Sequence, residues 1–472
     1  MNVLIVSSEA VPYAKSGGLA DVAGSLPLAY KQMGVDARVV IPKYRFIKPS
    51  LISDAVYIGS FPVNLNRNIQ NASVYKTEGE ITYYLIENDR YFGRDTFYGY
   101  FDDDIRFAFF SKASLLLLTL IDFKPDILHF NDWQTALGCL YIKEKYNEFL
   151  VGKNTKTVFT IHNMQYQGVF EPHSINKIDL NQSFNSMEKL EFYGRISFMK
   201  AGIIYADAVT TVSPAYSNEI QTPEYGYGLD GLLRHYNYKL FGILNGIDVI
   251  KYNPETDKFL NSPYSQKNIK KKKKNKTALQ TQLNLPVSDV PLIGMVTRLV
   301  DQKGFDIVAP VLNELLNMDV QLVVVGTGDG YYEHIINEAA EKYPQKLSAN
   351  LFFSDELAMV VYGSADMLLM PSLFEPCGLA QLIAMRYGTI PVVRKTGGRS
   401  DTVNKKNGFL FSDYKPKALI AIIKEAIDTY ANKPDEWQAL IVNAMQCDYS
   451  WGYSAVQFIK LYENLLHNGG LI

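Results

Sequence analysis

The chain has 472 residues, 47 Lys and Arg against 49 Asp and Glu, and 47% apolar residues. That length supplies two or three domains with real cores, and a net charge of −2 lacks the basic excess of a dedicated nucleic-acid binder. Three scattered cysteines (Cys139, Cys377, Cys447) make neither a disulfide framework nor a zinc spacing, the start MNVLIVSSEA has no basic n-region, and the greasy stretch 115–121 falls far short of the ~20 residues that cross a bilayer, so a cytoplasmic protein with no membrane or nucleic-acid partner is expected.

Short Val- and Ile-rich runs at 3–6, 37–41, 127–129, 157–161, 208–212 and 240–244 alternate with helix-length segments. Runs with little in–out alternation suit strands buried on both faces, although each alone also fits a buried helix; the series reads as a parallel α/β sheet. After the first run, SSEAVPYAKSGGLADVAGSLP reads as a loop carrying Gly17 and Gly18, then a helix from near Leu19. Parallel sheets bind ligands at the carboxyl ends of their strands. Glycines there admit a close approach, a helix N-terminus aims free N–H groups at an anion, and Lys15 adds a full positive charge. The loop suits a phosphate; the alternative is a tight turn with a surface lysine. It is neither GxGxxG nor a P-loop, which counts against a nicotinamide oxidoreductase or an NTPase.

Tyr91, Phe92, Phe97, Tyr98 and Tyr100 cluster just ahead of Asp102–Asp104. Aromatic faces stack on sugar rings; core packing is the alternative. The three aspartates follow no buried strand, so no metal requirement is expected. Asp132 and Trp133 follow the run 127–129, and His162 and Asn163 follow 157–161, all at strand ends. A helix N-cap is the alternative role for Asp132.

The pattern restarts at 292–296, 321–325, 351–353, 367–370 and 390–393. The simplest account is two doubly wound Rossmann-like domains, 1–244 and 245–450, with a hinge at 245–253. A closing segment, 451–472, is helical in pattern, with Val456, Ile459, Leu461 and Leu465 on its stripe. Between the two series, Gln266 to Lys276 holds seven lysines, read as a solvated surface loop. Arg298 and Lys303, five residues apart, sit just past the run 292–296. Two cations at a strand edge suit a diphosphate, the Arg in bidentate fashion; the alternative is pairing with Asp301 or Asp306. Glu375, in SLFEPCGLAQL, is expected at the next strand edge, beside a helix starting near Gly378.

Eight segments, KSGGLADV (15–22), HFNDWQTAL (129–137), FTIHNMQYQGVF (159–170), YGYGLDGLL (225–233), LNGID (244–248), TRLVDQKG (297–304), FEPCGLAQL (374–382) and TGGRSDTV (396–403), span nearly the whole chain. Together and in this order they resemble bacterial glycogen synthases and plant starch synthases. The resemblance implies an α/β fold of the GT-B type, two Rossmann-like doubly wound domains facing across a cleft, with a C-terminal helix returning to the first. It implies transfer of glucose from ADP-glucose, or UDP-glucose, to the non-reducing 4-OH of an α-1,4-glucan, with retention of configuration and no cofactor. The catalytic roles fall on Lys15, His162, Arg298, Lys303 and Glu375. Arg298 and Lys303 clamp the diphosphate, Glu375 meets the hydroxyls of the transferred sugar, and His162 meets its 6-OH. Substrate binding falls on Gly17, Gly18, Asp21, Asp132, Asn163 and Asn245, on the backbone of Cys377, Gly378 and Leu379, and on Thr396 and Gly397. Domain closure is expected to bring Lys15 and His162 toward Arg298, Lys303 and Glu375.

Two positions depart from the pattern. Ile383 stands where some GT-B enzymes carry a second Glu, and Arg399 stands where the family usually has Leu. A charge at 399 is expected to point outward. Three rival readings are a nicotinamide oxidoreductase, a non-catalytic glucan-binding relative, and a transferase with a small acceptor such as a sucrose-forming enzyme.

Overall fold

Strands that carry Val and Ile on both faces need cover on both faces, and two such sheets organise the chain. The structure, a computed structural model, describes residues 1–66, 68–146 and 154–467. One unit comprises Met1–Asn245 with Trp451–Ile472, the other Gly246–Ser450.

In the first unit the strands are β1 (Asn2–Val6), β2 (Asp36–Pro42), β3 (Val56–Leu65), β4 (Asn68–Thr77), β5 (Thr82–Glu87), β6 (Ile127–Asn131), β7 (Lys156–Ile161), β8 (Val169–Phe170), β9 (Glu191–Phe192), β10 (Arg195–Ser197), β11 (Ala208–Thr211) and β12 (Leu240–Gly242). The main sheet runs β12-β11-β7-β6-β1-β2-β5-β4-β3. It is parallel from β12 to β5, and β4 and β3 add an antiparallel ribbon at that edge. Strands β3, β4 and β5 lie outside the six sequence runs. The ribbon is half-exposed: Val56 and Tyr57 face solvent while Val63 and Leu65 are buried, so no continuous apolar run marks it. A small antiparallel sheet, β8-β10-β9, stands apart.

The helix Trp451–His467 belongs to this first unit. Its buried face is Trp451, Ala455, Phe458, Leu461, Tyr462 and Leu465, packed with Val22, Leu26 and Tyr30 of the Gly18–Gln32 helix. Val456 lies off that face and is exposed. The Tyr462 hydroxyl sits between His129 Nδ1, at 2.7 Å, and the Tyr30 hydroxyl, at 2.9 Å. His129 Nε2 continues to Thr160 Oγ1 at 2.5 Å. Burial, with His162 nearby, pulls the His129 pKa down to about 3, so the ring is a neutral member of a buried polar chain.

In the second unit the strands are β13 (Leu292–Val296), β14 (Gln321–Val325), β15 (Leu347–Asn350), β16 (Met367–Met370), β17 (Ile390–Arg394) and β18 (Phe409–Phe411). Their order, β15-β14-β13-β16-β17-β18, is all parallel and doubly wound. The third strand falls before the expected 351–353, because Phe352 and Phe353 are exposed and it is Leu347 that enters the core. The lysine run is helical rather than a loop, and although Lys267, Lys270, Lys271, Lys273 and Lys274 are exposed as expected, two of its lysines are not. It leads into the helix Lys272–Gln282, and Lys272 and Lys276, one turn apart, are both buried. Lys272 Nζ donates to Thr389 Oγ1 at 2.6 Å and to the carbonyls of Tyr362 and Tyr387, and burial draws its pKa down to about 7. Lys276 Nζ pairs with Asp366 at 2.6 Å.

Replacing Tyr462 with Phe leaves His129 Nδ1 and the Tyr30 hydroxyl without their shared partner in a dry core. Urea unfolding of Tyr462→Phe beside wild type is expected to show a loss of about 1–3 kcal/mol.

Candidate functional site

In a doubly wound sheet the strand order reverses at one point, and a crevice opens there outside the carboxyl ends of the strands. In the second unit that point lies between β13 and β16. Beyond β13 come Thr297, Arg298 and a single turn of 3-10 helix, Asp301–Lys303, followed by Gly304. Gly304 has φ of +86°, and a Cβ there would stand 2.4 Å from the Pro371 carbonyl oxygen. The loop after β13 therefore touches the loop after β16, and the Leu373 N–H donates to the Gln302 carbonyl at 3.0 Å to hold them.

This contact brings Lys303 Nζ to 2.6 Å from Glu375 Oε2. A second cation reaches the same oxygen: Arg399 Nη2, at 2.9 Å. Arg399 does not point outward, as the sequence suggested. It is 1% exposed, and its guanidinium also donates to the Met370 carbonyl and Ser372 Oγ, both at 2.9 Å. A buried guanidinium needs a carboxylate partner, and Glu375, distant in sequence, supplies it. Burial pushes the Glu375 pKa up, but Lys303, then Arg399, then Arg298 outweigh it and hold the carboxyl below its ordinary range, ionised at neutral pH. Arg298 is exposed and makes no ion pair among the described residues. Asp301 and Asp306, the alternative partners for Arg298 and Lys303, accept instead from the Tyr332 and Tyr414 hydroxyls.

The Thr396–Gly398 loop lies on the backbone of Glu375 to Cys377. Gly397 has φ of +47°, and a Cβ there would overlap the Glu375 carbonyl oxygen at 1.8 Å. The Gly398 N–H donates to the Pro376 carbonyl at 3.0 Å. Cys377, Gly378 and Leu379 precede the helix Ala380–Arg386, which starts two residues later than expected. Thr297, Lys303, Glu375, Gly378 and Arg399 line a small cavity of about 90 Å³.

In the first unit the order reverses between β1 and β6. Glu9, just past β1 and 3% exposed, organises the loop that follows. Its carboxylate accepts from the backbone N–H of Ser16, from Ser16 Oγ at 2.6 Å and from the Tyr98 hydroxyl at 2.5 Å. Lys15 is thereby presented on the surface, where Nζ meets Asp21 Oδ1 at 2.9 Å. A Cβ on Gly17 or Gly18 would meet nothing within 4 Å, so the fold itself does not demand glycine at either position.

At the ends of β6 and β7, Asp132 and His162 are joined. Asp132 Oδ1 accepts from the His162 backbone N–H at 2.7 Å, and the Asn163 N–H also meets this carboxyl. Asp132 caps no helix, since the next helix, Leu137–Tyr141, begins from Ala136. Burial, helped by Glu9, raises its pKa to about 7 against those two N–H groups. His162 Nε2 donates to Asn131 Oδ1 at 2.9 Å; the Asn131 amide group donates to the Val6 carbonyl, which fixes that orientation. Burial lowers the His162 pKa to about 3, so the ring is neutral. Asn245 is buried nearer β11, its N–H on the Val212 carbonyl at 3.3 Å.

The sequence residues thus gather in two sets, each within its own unit: Lys15, Gly17, Gly18, Asp21, Asp132, His162 and Asn163 in the first, and Arg298, Lys303, Glu375, Cys377–Leu379, Thr396 and Gly397 in the second. Sequence reasoning missed Glu9, Asn131 and the role of Tyr98. An acid three residues before Pro12, in a loop otherwise suited to an anion, was the available signal for Glu9. Of the aromatic cluster, Tyr91 and Phe92 are core residues. Asp102, Asp103 and Asp104 are paired with Arg94, Arg106 and Lys177.

Residues 2–235 match the family model described as the starch synthase catalytic domain, and residues 278–440 match the glycosyl transferases group 1 model. The chain is 46% identical to a glycogen synthase of Bacillus cereus over 99% of its own length and 100% of that protein. It is 45% identical to a glycogen synthase of Moorella thermoacetica, covering 99% and 97% of the two chains. Among solved structures it is similar to the catalytic domain of starch synthase IV from Arabidopsis thaliana bound to ADP and acarbose, with a TM-score of 0.91, 32% identity and coverage of 98% and 99%. A sucrose-phosphate synthase from Thermosynechococcus elongatus shares the fold, with a TM-score of 0.64 at 17% identity over 99% of each chain.

A carboxyl with a pKa near 7 is visible without any substrate. Infrared titration is expected to show a carboxyl group taking up its proton at about pH 7 in wild type and not in Asp132→Asn. Because the folded pKa lies above the ordinary ~3.9, the folded state binds the extra proton between those values, and this group's contribution to stability falls as pH rises from about 4 to 7.

Proposed function

We infer the reaction from one premise: the chain belongs to the family of glycogen and starch synthases, enzymes of the GT-B fold that transfer glucosyl groups. We propose that it moves glucose from ADP-glucose to the non-reducing 4-OH of an α-1,4-glucan with retention of configuration. The observation that carries this is the pairing, at one strand switch point, of Lys303 with an ionised Glu375 whose charge Arg298 also favours.

As the C1–O bond of the donor breaks, negative charge grows on the diphosphate and positive charge on the sugar ring. Fixed charges of the right sign lower that barrier because they need no reorganisation during the step. Arg298, exposed and without an ion pair among the described residues, and Lys303 take the diphosphate. Thr396, Gly397 and the backbone N–H groups of Cys377, Gly378 and Leu379 add hydrogen bonds to phosphate or sugar. Glu375 accepts from the glucose hydroxyls and faces the positive ring.

From the first unit, Lys15 exchanges Asp21 for the donor's phosphate, and Gly17 and Gly18 leave room for its approach. The open space around both glycines supports this, since nothing in the fold requires them. His162, neutral, meets the glucose 6-OH as a hydrogen-bonding group rather than as an acid, with Asp132 and Asn163 holding the loop it sits in; Asn245 also contacts the donor. The acceptor 4-OH attacks from the face the diphosphate leaves, and a departing phosphate oxygen takes its proton. Trapping a glucosyl-enzyme ester would contradict this front-side course.

ADP as the leaving group draws support from the starch synthase IV structure, which is bound to ADP and acarbose. UDP-glucose is the alternative donor. Incubation with radiolabelled ADP-glucose or UDP-glucose and glycogen is expected to put label into precipitated polymer, more from ADP-glucose; no label from either would defeat the reading. Arg298→Ala and Lys303→Ala are each expected to cost about 2.7–4 kcal/mol of transition-state stabilisation, roughly a hundred- to a thousandfold in kcat, with near-normal turnover in both counting against the clamp.

A further inference from the structure

Two cations sharing one carboxylate oxygen are not equivalent partners. Lys303 is a flexible side chain, 18% exposed, on a single turn beside Arg298. Glu375 is its only hydrogen-bond acceptor among the described residues. Arg399 is 1% exposed and anchored on its far side by the Met370 carbonyl and Ser372 Oγ. Its backbone is fixed as well. The Arg399 N–H donates to the Thr396 carbonyl at 3.2 Å, within the loop that rests on the Glu375 backbone.

A bound diphosphate is doubly attractive to Lys303, being an anion beside the place this ammonium already occupies. When Lys303 swings to it, Glu375 loses one of its two direct cations. We propose that Arg399 is a positioning residue for the transfer: it stays on Glu375 when Lys303 turns to the diphosphate, and so keeps the carboxylate charged and aimed at the glucose. This rests on the reading of Glu375 as the group that faces the transferred sugar.

The charged groups around Glu375 are Lys303 and Arg298 from the loop after β13 and Arg399 from the Gly398–Thr402 helix; Arg394 and Cys377 act on Arg399 in turn. A leucine at 399 fills comparable apolar space but leaves Glu375, in the donor complex, without its buried counter-charge. A neighbouring cation lowers a carboxyl pKa by about 1–3, so its removal moves protonation of Glu375 upward by a similar amount. The protonated acid neither balances the ring charge nor accepts from the hydroxyls as well.

The test measures glucosyl transfer to glycogen at saturating donor from pH 5 to 9 for wild type, Arg399→Leu and Arg399→Lys. In Arg399→Leu the acid limb of kcat is expected to rise by about 1–3 pH, with donor KM within about twofold of wild type. Arg399→Lys, which keeps the charge, is expected to restore most of the wild-type limb. An unmoved limb in Arg399→Leu, or a loss confined to donor KM, overturns the proposal. If Arg399→Leu does not fold, Arg399→Gln, neutral and polar, is read by the same criteria. Wild type that transfers no glucose defeats the assignment of Glu375 itself; wild type that transfers, beside a variant with an unmoved limb, defeats only the role of Arg399.

Discussion

The second unit turns on one largely buried carboxylate held between two cations. Burying Glu375 alone would cost several kcal/mol or drive it to its neutral form. Lys303 and Arg399, both on Oε2, reverse that balance. The surrounding backbone is shaped to allow it. Gly304 lets the loops after β13 and β16 meet, and Gly397 lets a third loop lie on the Glu375 carbonyl. The Rossmann topology explains why these three loops are neighbours: β13, β16 and β17 are adjacent in the sheet, so their carboxyl ends share one edge.

The first unit's strand ends are built from the opposite material. Along β1, β6 and β7 and in the loops that follow them, its buried groups are neutral or held by hydrogen bonds rather than by ion pairs. His162 and His129 are kept unprotonated by burial, Asp132 is lifted toward neutrality, and Glu9 is satisfied by Ser16 and Tyr98. Neutral hydrogen-bonding groups suit hydroxyls, whereas the cations of the second unit suit phosphates.

The parallel strands were legible because burial on both faces leaves continuous Val and Ile runs such as 292–296 and 321–325. The ribbon β3–β4 was not, because its exposed positions interrupt the pattern. The exposed Phe352 and Phe353 imitated a strand that lies just before them. The loops after the strands were legible as motifs, down to Lys303 and Glu375. Arg399 was misread because a lone arginine in a short polar turn has the appearance of surface, and the carboxylate that buries it is far off in the chain. The lysine run misled in the same way, although Lys272 and Lys276 stand four apart, a helical spacing that aligns them on one face.

The helix Trp451–His467 completes the core of a unit whose other residues end at Asn245. Everything between is the contiguous second unit. During synthesis, Tyr30, His129 and the apolar face of the Gly18–Gln32 helix therefore lack the cover of Phe458 and Tyr462 until the whole second unit has been made. The half begun second has all its strands in one uninterrupted stretch and can finish ahead of the first. A chain cut short before Trp451 would leave those residues of the first unit without that cover.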